Sequence, residues 1–257
     1  MIDERVIIHP TAKIAENVTI GPWTVIGPEV EIGEGTIIGP HVVINGPTKI
    51  GKNNKIYQFA SVGEDPQDKK YQGERTWLEI GDNNIIREYC TLNRGTAVGG
   101  GLTKIGSHNL LMAYVHVAHD CIVGDHVIMA NSAGLAGHVT LQDYAIMSAF
   151  TGVHQFCVIG SHSFIGRGAL ITKDVPPYML VAGDAQPAAY GLNLEGLKRR
   201  DFSPERISML KRAYKILYRQ NLSLAESLEN LKELAKECPE VQEMLEFVEK
   251  SERGIIR

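Results

Sequence analysis

The chain has 257 residues, enough for one large domain or two with a substantial core. Its 26 basic and 30 acidic residues give a formal net charge of −4, which argues against a nucleic-acid-binding protein held by general positive charge. The N-terminus lacks the apolar core of a signal peptide, and no apolar stretch approaches the roughly 18 residues of a membrane span. Four cysteines in a chain of this length do not resemble a disulfide framework, so we expect a cytoplasmic protein.

An aliphatic residue recurs at every sixth position, once per hexad, from Ile8 to Val62, resumes at Ile80, and runs again from Ile105 to Ile171. A helix of period 3.6 cannot hold one residue in six on a single face over that length, whereas a coil of three hexads, with one short strand in each, can. The repeat therefore predicts a solenoid of stacked β-coils. Gly, Asn or Asp often follows the aliphatic residue, and we expect these residues at corners where positive φ is tolerated.

Cys90, Cys121 and Cys157 all occupy the fifth place of their hexads, beside the aliphatic site. Alanine or threonine fills this place in other hexads, so it is interpreted as a small position facing inward. Free cysteine is commonly buried, and the cysteines are predicted to be structural.

The repeat breaks twice, and each break is interpreted as a loop that leaves the solenoid. The loops are predicted near residues 64–79 and 97–104, and the first carries Asp68 and Lys70. Long excursions from a solenoid are often functional, although a simple solvated loop would show the same pattern.

Helical signals replace the repeat in the last part of the chain. A Ser-Pro pair at Ser203 offers an N-cap followed by proline in the first turn. A capping-box pattern starts at Ser223, and Pro239 opens a third apolar helical pattern. The sequence therefore predicts a β-solenoid over residues 1–190 and an α-helical domain over residues 191–257.

Polar residues with proton-transfer chemistry are threaded through the later hexads. A step of one coil, or three hexads, leads from His119 to Gly137, and a second such step leads on to Gln155. The same step leads from Asp120 to His138. The compact patch expected from this spacing consists of His119, Asp120, Gly137, His138, His154 and Gln155.

Such a patch suits acyl transfer without a covalent intermediate. A neutral imidazole can remove a proton from a hydroxyl or an amine near pH 7, and a neighbouring carboxylate can orient it. The N–H of Gly137 could face a developing oxyanion, and no Ser or Cys has the strand-turn-helix setting of a hydrolase nucleophile.

Two alternatives follow from the same residues. Histidines such as His116 and His119, with His138 or His154, could hold zinc in a hydratase like the γ-class carbonic anhydrases, although this spacing is a weak signal and we expect no metal. A solenoid that only binds a partner would explain the repeat but not the histidines.

Several segments resemble the UDP-N-acetylglucosamine O-acyltransferases that open lipid A biosynthesis. They are HVAHDCIVG, LAGHV, VHQFCVIG, DVPPYM, NLEGLKRRDFS and the terminal RGIIR, with QDKKY and GGGLTKIG in the two loops. The resemblance covers essentially the whole chain. It implies a left-handed parallel β-helix followed by a small helical domain, and a homotrimer with active sites between subunits.

The resemblance also implies an activity and its substrates. An (R)-3-hydroxyacyl chain would pass from the phosphopantetheine arm of acyl carrier protein to the 3-hydroxyl of UDP-N-acetylglucosamine, without a further cofactor. His119 would be the general base, Asp120 would orient it, and the N–H of Gly137 would stabilise the oxyanion. Positions matching contacts to the sugar nucleotide or donor are Asp68, Lys70, His116, His138, His154 and Gln155. Positions matching contacts to uridine and phosphates are Asn193, Glu195, Arg199 and Arg200. Basic residues expected to face carrier protein are Arg199, Arg200, Lys211 and Arg212, although a solvated helix face explains the last two equally well.

Two departures from the family pattern leave specificity open. Asn93 stands where better-known members carry His, so a base at that position is excluded and the acceptor could be a 3-hydroxyl or a 3-amino sugar. Arg167 lies in the region, residues 165–169, where members set acyl length by side-chain bulk, and it predicts no length. The N-acyltransferase later in the pathway is a weaker match, because it normally has an extra N-terminal domain whereas these repeats start by Ile8.

Overall fold

The hexads form short strands. The computed structural model describes residues 1–257, which form 27 strands and four helices. The first strands in chain order are β1 (Ile7–Ile8), β2 (Lys13–Ile14), β3 (Thr19–Ile20), β4 (Val25–Ile26), β5 (Val30–Ile32), β6 (Ile37–Ile38), β7 (Val43–Ile44), β8 (Thr48–Ile50) and β9 (Lys55–Ile56). They are followed by β10 (Ser61–Glu64), β11 (Trp77–Ile80), β12 (Ile85–Ile86), β13 (Thr91–Asn93), β14 (Leu102–Ile105), β15 (Leu110–Leu111), β16 (His116–Val117), β17 (Ile122–Val123) and β18 (Ile128–Met129). The last are β19 (Gly134–Leu135), β20 (Thr140–Leu141), β21 (Ile146–Met147), β22 (Gly152–Val153), β23 (Val158–Ile159), β24 (Phe164–Ile165), β25 (Leu170–Ile171), β26 (Met179–Ala182) and β27 (Ala188–Leu192).

The strands form three sheets in which every third strand is a neighbour. The first sheet runs from β1 through β4 and so on to β25, the second from β2 to β23, and the third from β3 to β24. Pairing is parallel, and away from the two loops the register advances by three hexads from coil to coil, as between Val117 and Leu135. Only the last pair of the third sheet, β26 with β27, is antiparallel. The predicted solenoid of three strands per coil is therefore confirmed.

The aliphatic residue of each hexad lies inside the solenoid. Ile44, Ile86 and Leu111, for example, are fully buried. Burying one such side chain stabilises the fold by about 1.5–3 kcal/mol relative to leaving it exposed, so the repeat builds one continuous apolar core. The predicted inward position of Cys90, Cys121 and Cys157 is confirmed, since all three are buried and free, as is Cys238 of the helical part.

The corners correct one expectation. Except at Gly63, positive φ falls not on the glycine after the aliphatic residue but two places later, as at Trp23 and His41. Gly21 occupies its place for a different reason, because an added Cβ would lie 2.7 Å from Pro40 N and 2.8 Å from Gly39 C of the next coil. Close approach of successive coils, rather than backbone conformation, requires these glycines.

Aromatic and imidazole rings stack along two of the three edges of the solenoid. Between the third and first sheets the stack runs from Trp23 to Tyr114, with centroid spacings of 4.9–5.4 Å. Between the second and third sheets it runs from His108 to Tyr178. Stacking from coil to coil contributes to the stability of corners whose positive φ is otherwise unfavourable for such residues.

The remaining edge, between the first and second sheets, is called the loop edge here. Both predicted loops leave the solenoid there, because each follows a strand of the first sheet and precedes one of the second. The strands place the loops at residues 65–76 and 94–101, compared with the predicted 64–79 and 97–104. They are called the first and second loop.

Four helices follow β27. They are α1 (Leu194–Arg199), α2 (Pro204–Tyr218), α3 (Leu224–Ala235) and α4 (Pro239–Lys250). The N-cap of α2 at Ser203, the capping box of α3 at Ser223, and Pro239 at the start of α4 agree with the sequence signals, whereas the short α1 was not predicted. None of these helices is both long and apolar enough to span a membrane.

The C-terminal segment closes the last coil. Asp174 N donates to Gly254 O, and Ile256 N donates back to Asp174 O. Glu243 of α4 accepts hydrogen bonds from Ser161 and Tyr178, which ties the helices to the end of the solenoid.

Candidate active site

His119 and Asp120 lie at the loop edge, in the corner between β16 and β17. His119 Nδ1 is 2.7 Å from Asp120 Oδ2. An ionised carboxylate can only accept, so this contact selects the imidazole tautomer with its proton on Nδ1. The lone pair on Nε2 is then free to accept a proton from another molecule. The side chain of Asp120 is 1% exposed and that of His119 is 14% exposed, so the base is shielded but reachable.

The next coil brings Gly137 against His119. A Cβ on Gly137 would lie 2.5 Å from His119 Cε1 and 2.8 Å from Nε2, so the imidazole occupies the space that a side chain would need. His138 N donates to His119 O at 3.1 Å, which fixes the register between the two coils. The predicted column of His119 and Gly137 is confirmed, and the reason for glycine is contact with the imidazole ring.

The N–H of Gly137 donates to no acceptor within the chain. At the matching place of another corner, the N–H groups of Lys52, Ser107 and Asp125 are each capped by an aspartate of the next coil, at 2.6–2.8 Å. The amide of Gly137, like those of His119 and Gln155 in the same column, is therefore a donor with its hydrogen bond unmade.

His138 completes the cluster. Its Nε2 lies 3.6 Å from Asp120 Oδ2, beyond hydrogen-bond distance, and its ring meets the ring of His119 edge-on at 5.3 Å. On its other side it stacks on Phe156 at 4.5 Å. His119, Asp120 and His138 could in principle share a metal ion, because their ligand atoms lie within 4.8 Å of one another.

The other predicted histidines lie on the first sheet rather than in this cluster. His116 Nδ1 is 2.7 Å from Thr91 Oγ1, and burial, with a smaller effect of neighbouring His119, lowers the pKa of His116. His154 Nδ1 contacts Gln155 O at 3.2 Å and Arg253 Nη2 at 3.4 Å. Gln155 is exposed and makes no hydrogen bond to His119 or Asp120 through its side chain. Two of the six expected patch residues are therefore peripheral to it.

His116 and His154 line an open groove of about 570 Å³ across the first sheet. Its floor includes Gly134 and Gly152, and Leu170 lies at its far side. Glycine in two successive coils leaves a shallow trough of apolar character beside the His119 corner. A separate cleft of about 310 Å³, between α4 and the last coils, contains none of the predicted site residues.

The first loop is held at its base by two residues whose role the sequence did not reveal. Asn93 donates to Asp65 O, and the buried Arg94 donates to Gly63 O, Asp65 and Tyr71. The loop's own predicted contact residues are freer: Lys70 is exposed, and the side chain of Asp68 accepts only from the N–H of Lys70. The signal that could have found Arg94 is its place directly after a first-sheet strand, at the start of the second loop.

The predicted residues of the C-terminal domain lie at another edge. Asn193 caps α1 and donates to His162 O, and Glu195 pairs with Lys198 at 3.3 Å. Arg200 lies over the ring of Tyr144, between the second and third sheets, and burial lowers its pKa. Exposed positions are occupied by Arg199, Lys211 and Arg212. Within one chain, these C-terminal residues therefore lie at a different edge of the solenoid from His119.

Arg167 also lies away from the cluster. Its guanidinium is 5.7 Å from the ring centroid of Phe150, at the edge between the third and first sheets. No contact of Arg167 with the groove is present, and the groove wall nearest to it in sequence is Leu170.

Comparison with known proteins accounts for both parts of the chain. Residues 174–256 match the family described as "Udp N-acetylglucosamine O-acyltransferase; Domain 2". Residues 11–46, 29–64 and 102–137 match the family described as "Bacterial transferase hexapeptide (six repeats)".

Similar proteins match over most or all of the chain. The acyl-[acyl-carrier-protein]–UDP-N-acetylglucosamine O-acyltransferase of Pseudomonas syringae pv. syringae (strain B728a) is 57% identical over 257 residues, 100% of this chain and 99% of that protein. The protein of the same name from Thiobacillus denitrificans is 58% identical over 205 residues, 79% of each chain. The structure of Francisella novicida UDP-N-acetylglucosamine acyltransferase has a TM-score of 0.98 at 47% identity and covers 100% of this chain and 94% of its own. These likenesses confirm the left-handed parallel β-helix with C-terminal helices.

Proposed function

The chain belongs to the acyl-[acyl-carrier-protein]–UDP-N-acetylglucosamine O-acyltransferase family, and we propose that His119 is the general base of the transfer that this family performs. The protein is an O-acyltransferase of the first step of lipid A biosynthesis, with acyl carrier protein and UDP-N-acetylglucosamine as substrates.

The observation that supports the proposal is the arrangement of His119 between Asp120 and Gly137. Asp120 holds the proton on Nδ1, so Nε2 can remove the proton of the acceptor hydroxyl as its oxygen attacks the thioester carbon. The carbonyl oxygen becomes an oxyanion, for which the unpaired N–H of Gly137 is a donor next to the reacting atoms. Collapse of the intermediate breaks the C–S bond, and the imidazolium returns its proton to the departing thiolate. No acyl-enzyme is formed, and no cofactor beyond the donor's own phosphopantetheine arm is required.

The groove across the first sheet suits the acyl chain. It starts at His116, beside the His119 corner, and crosses Gly134 and Gly152 toward Leu170. An extended alkyl chain requires an apolar surface of this kind, and the glycines leave room for it against the strands. We assign the (R)-3-hydroxyacyl chain to this groove, and the sugar nucleotide to the side of the cluster from which the first loop projects Asp68 and Lys70.

The residues expected to hold uridine and phosphates support a homotrimer. Asn193 to Arg200 lie at the edge between the second and third sheets, whereas His119 lies at the loop edge. A site that uses both sets takes them from two chains. Light scattering should therefore give about three times the 28.3 kDa chain mass, and an Arg199→Ala chain mixed with a His119→Ala chain should recover activity in the mixed trimer. We also place the protein in the cytoplasm, which cell fractionation checks.

Replacement of His119 tests the base assignment. His119→Ala should lower kcat by about 10²- to 10⁴-fold, the usual contribution of a positioned general base. His126→Ala is the matched control, because His126 is an exposed corner histidine that stacks between His108 and Tyr144 at another edge. Turnover of His119→Ala close to that of the control would show that another group takes the proton.

Two alternatives are separated by direct measurement. A metal bound to His119, Asp120 and His138 would compete with the hydrogen bond between His119 Nδ1 and Asp120, so stoichiometric zinc in the purified protein would contradict the proposal. A panel of acyl carrier proteins of different chain length, offered with 3-hydroxy and 3-amino sugar nucleotides, decides the acyl length and shows whether a 3-amino sugar is accepted as well.

A further inference from the structure

Thr96 of the second loop donates hydrogen bonds to both carboxylate oxygens of Asp120. Its N–H donates to Oδ1 at 2.8 Å, and its hydroxyl donates to Oδ2 at 2.7 Å. Thr96 is 3% exposed, so water does not compete for these hydrogen bonds. The second loop, which interrupts the hexad repeat, therefore contacts the Asp120 corner of the next coil.

Gly99 sets the direction of that hydroxyl. Its N–H lies 3.1 Å from Thr96 Oγ1 and donates to it, so one lone pair of the oxygen is occupied and the hydroxyl hydrogen points toward Asp120. Gly99 also covers the carboxylate, because an added Cβ would overlap the carboxyl carbon and both oxygens of Asp120. The second loop therefore both orients and shields this group.

The hydrogen bonds from Thr96 fix the orientation of the Asp120 carboxylate, and this orientation determines its hydrogen bond to His119. Oδ2 accepts from Thr96 and from His119 Nδ1, while Oδ1 is held by the backbone of Thr96, so rotation of the carboxylate plane breaks at least one of these bonds. A second imidazole is close enough to compete, since His138 Nε2 lies only 3.6 Å from the same Oδ2. Without Thr96 the carboxylate is free to turn toward His138 and release His119.

We infer that Thr96 is a positioning residue of the reaction, which acts through Asp120 to keep His119 oriented with Nε2 toward the acceptor hydroxyl. The inference rests on the proposed role of His119. It assigns the second loop a task in catalysis that is separate from substrate binding. It also explains why the loop carries glycine at position 99, where any side chain would displace the carboxylate.

Substitution of Thr96 gives a test with an internal standard. Thr96→Val should lower kcat by about 10- to 100-fold, as expected for a lost hydrogen bond to a charged group, with both KM values changed by less than about twofold. Thr96→Ser keeps the hydroxyl and should restore most of the rate. Thr36→Val is the matched control, because Thr36 is a fully buried threonine of an early coil whose hydroxyl likewise donates once, to Gly51 O, and accepts once, from Asn54 N.

A double variant separates positioning from a general loss of structure. In an Asp120→Asn chain, Thr96→Val should lower kcat by less than about twofold further, because the partner through which it acts is already changed. If the two losses multiply, or if Thr96→Val matches Thr36→Val in kcat, the inference is overturned. If His119→Ala retains activity, the base assignment fails instead, so the two failures are distinguishable.

A second route covers the case in which Thr96→Val does not fold. Gly99→Ala leaves the threonine in place and pushes on the same carboxylate, and it should lower kcat with little change in KM. Full activity of Gly99→Ala would then overturn the inference.

Discussion

Adding one methyl group at Gly137 should disable the base while leaving the amide of residue 137 in place. In Gly137→Ala the new Cβ would lie 2.5 Å from His119 Cε1 and 2.8 Å from Nε2, whereas ordinary contacts between carbon atoms are about 3.5–4.0 Å. The ring must therefore move by about 1 Å, which is enough to break its 2.7 Å hydrogen bond to Asp120. A misplacement of about 1 Å can cost about 10²-fold in rate, and loss of the positioned base up to about 10⁴-fold.

The expected result is a fall in kcat of at least about 10²-fold, measured as acyl transfer to UDP-N-acetylglucosamine at saturating carrier protein. KM for the sugar nucleotide should change little, because the residues proposed to contact the phosphates and uridine lie elsewhere. Gly191→Ala is the control, since its new methyl group meets nothing within 4 Å. If Gly137→Ala keeps kcat within about threefold of that control, then the contact between His119 and Gly137 does not set the geometry of the reaction.

Three further outcomes follow from groups outside the catalytic corner. Arg94→Met should loosen the first loop, because the buried guanidinium ties it to the solenoid through Asp65 and Tyr71, so trypsin should cleave within residues 65–76 faster and KM for the sugar nucleotide should rise. Unchanged proteolysis relative to Arg87→Met would contradict this. Burial, and to a lesser extent the nearby Arg200, lowers the pKa of His162 to about 4 from its ordinary 6.5. Between these pH values the unfolded chain binds a proton that the folded chain does not, so the stability of the fold decreases as the pH falls. His162→Phe should reduce this pH dependence of the melting temperature, and an unchanged slope would refute the assignment. Burial raises the pKa of the Cys90 and Cys121 thiols to about 12 and of Cys157 to about 11. A thiol reagent at about pH 8 should therefore react only slowly with the folded protein, whereas after unfolding it should react readily with all four cysteines. Rapid reaction of the native chain would show that the core is open.

The solenoid could be predicted from the sequence because its repeat is strict. A single aliphatic residue at every sixth position favours one arrangement of strands, and the step of three hexads then places His119 beside Gly137 from the sequence alone. The helical domain was predictable for a related reason, since Ser203, Ser223 and Pro239 mark helix starts by local chemistry alone. The solenoid is thus predicted by the fixed six-residue period, and the helices are predicted by local capping signals.

Contacts made by the loops could not be predicted in the same way. A loop that leaves the solenoid has no period, so nothing in the sequence states that Thr96 returns to Asp120 or that Arg94 ties down the first loop. Coil arithmetic also overestimates proximity in one respect. It correctly places Gln155 one coil beyond Gly137, but its exposed side chain does not reach the cluster. The repeat predicts which backbone segments are neighbours, but it does not predict the hydrogen bonds that their side chains make.

The active site forms where the stacking of rings along the loop edge stops. Along much of the other two edges the corner residue of positive φ stacks on that of the next coil, as between Tyr89 and Tyr114, whereas corners such as Asn83 and Ser132 carry no ring. At the loop edge His138 and Phe156 follow the same rule, but the preceding corner carries Asp120 at φ 60 in place of a ring. A carboxylate cannot continue the stack, so the ring that meets His138 is that of His119, one residue earlier and edge-on at 89°. At this corner Asp120 holds His119 edge-on to the two stacked rings of the next coils, and both loops leave from the same edge in the coils directly before it.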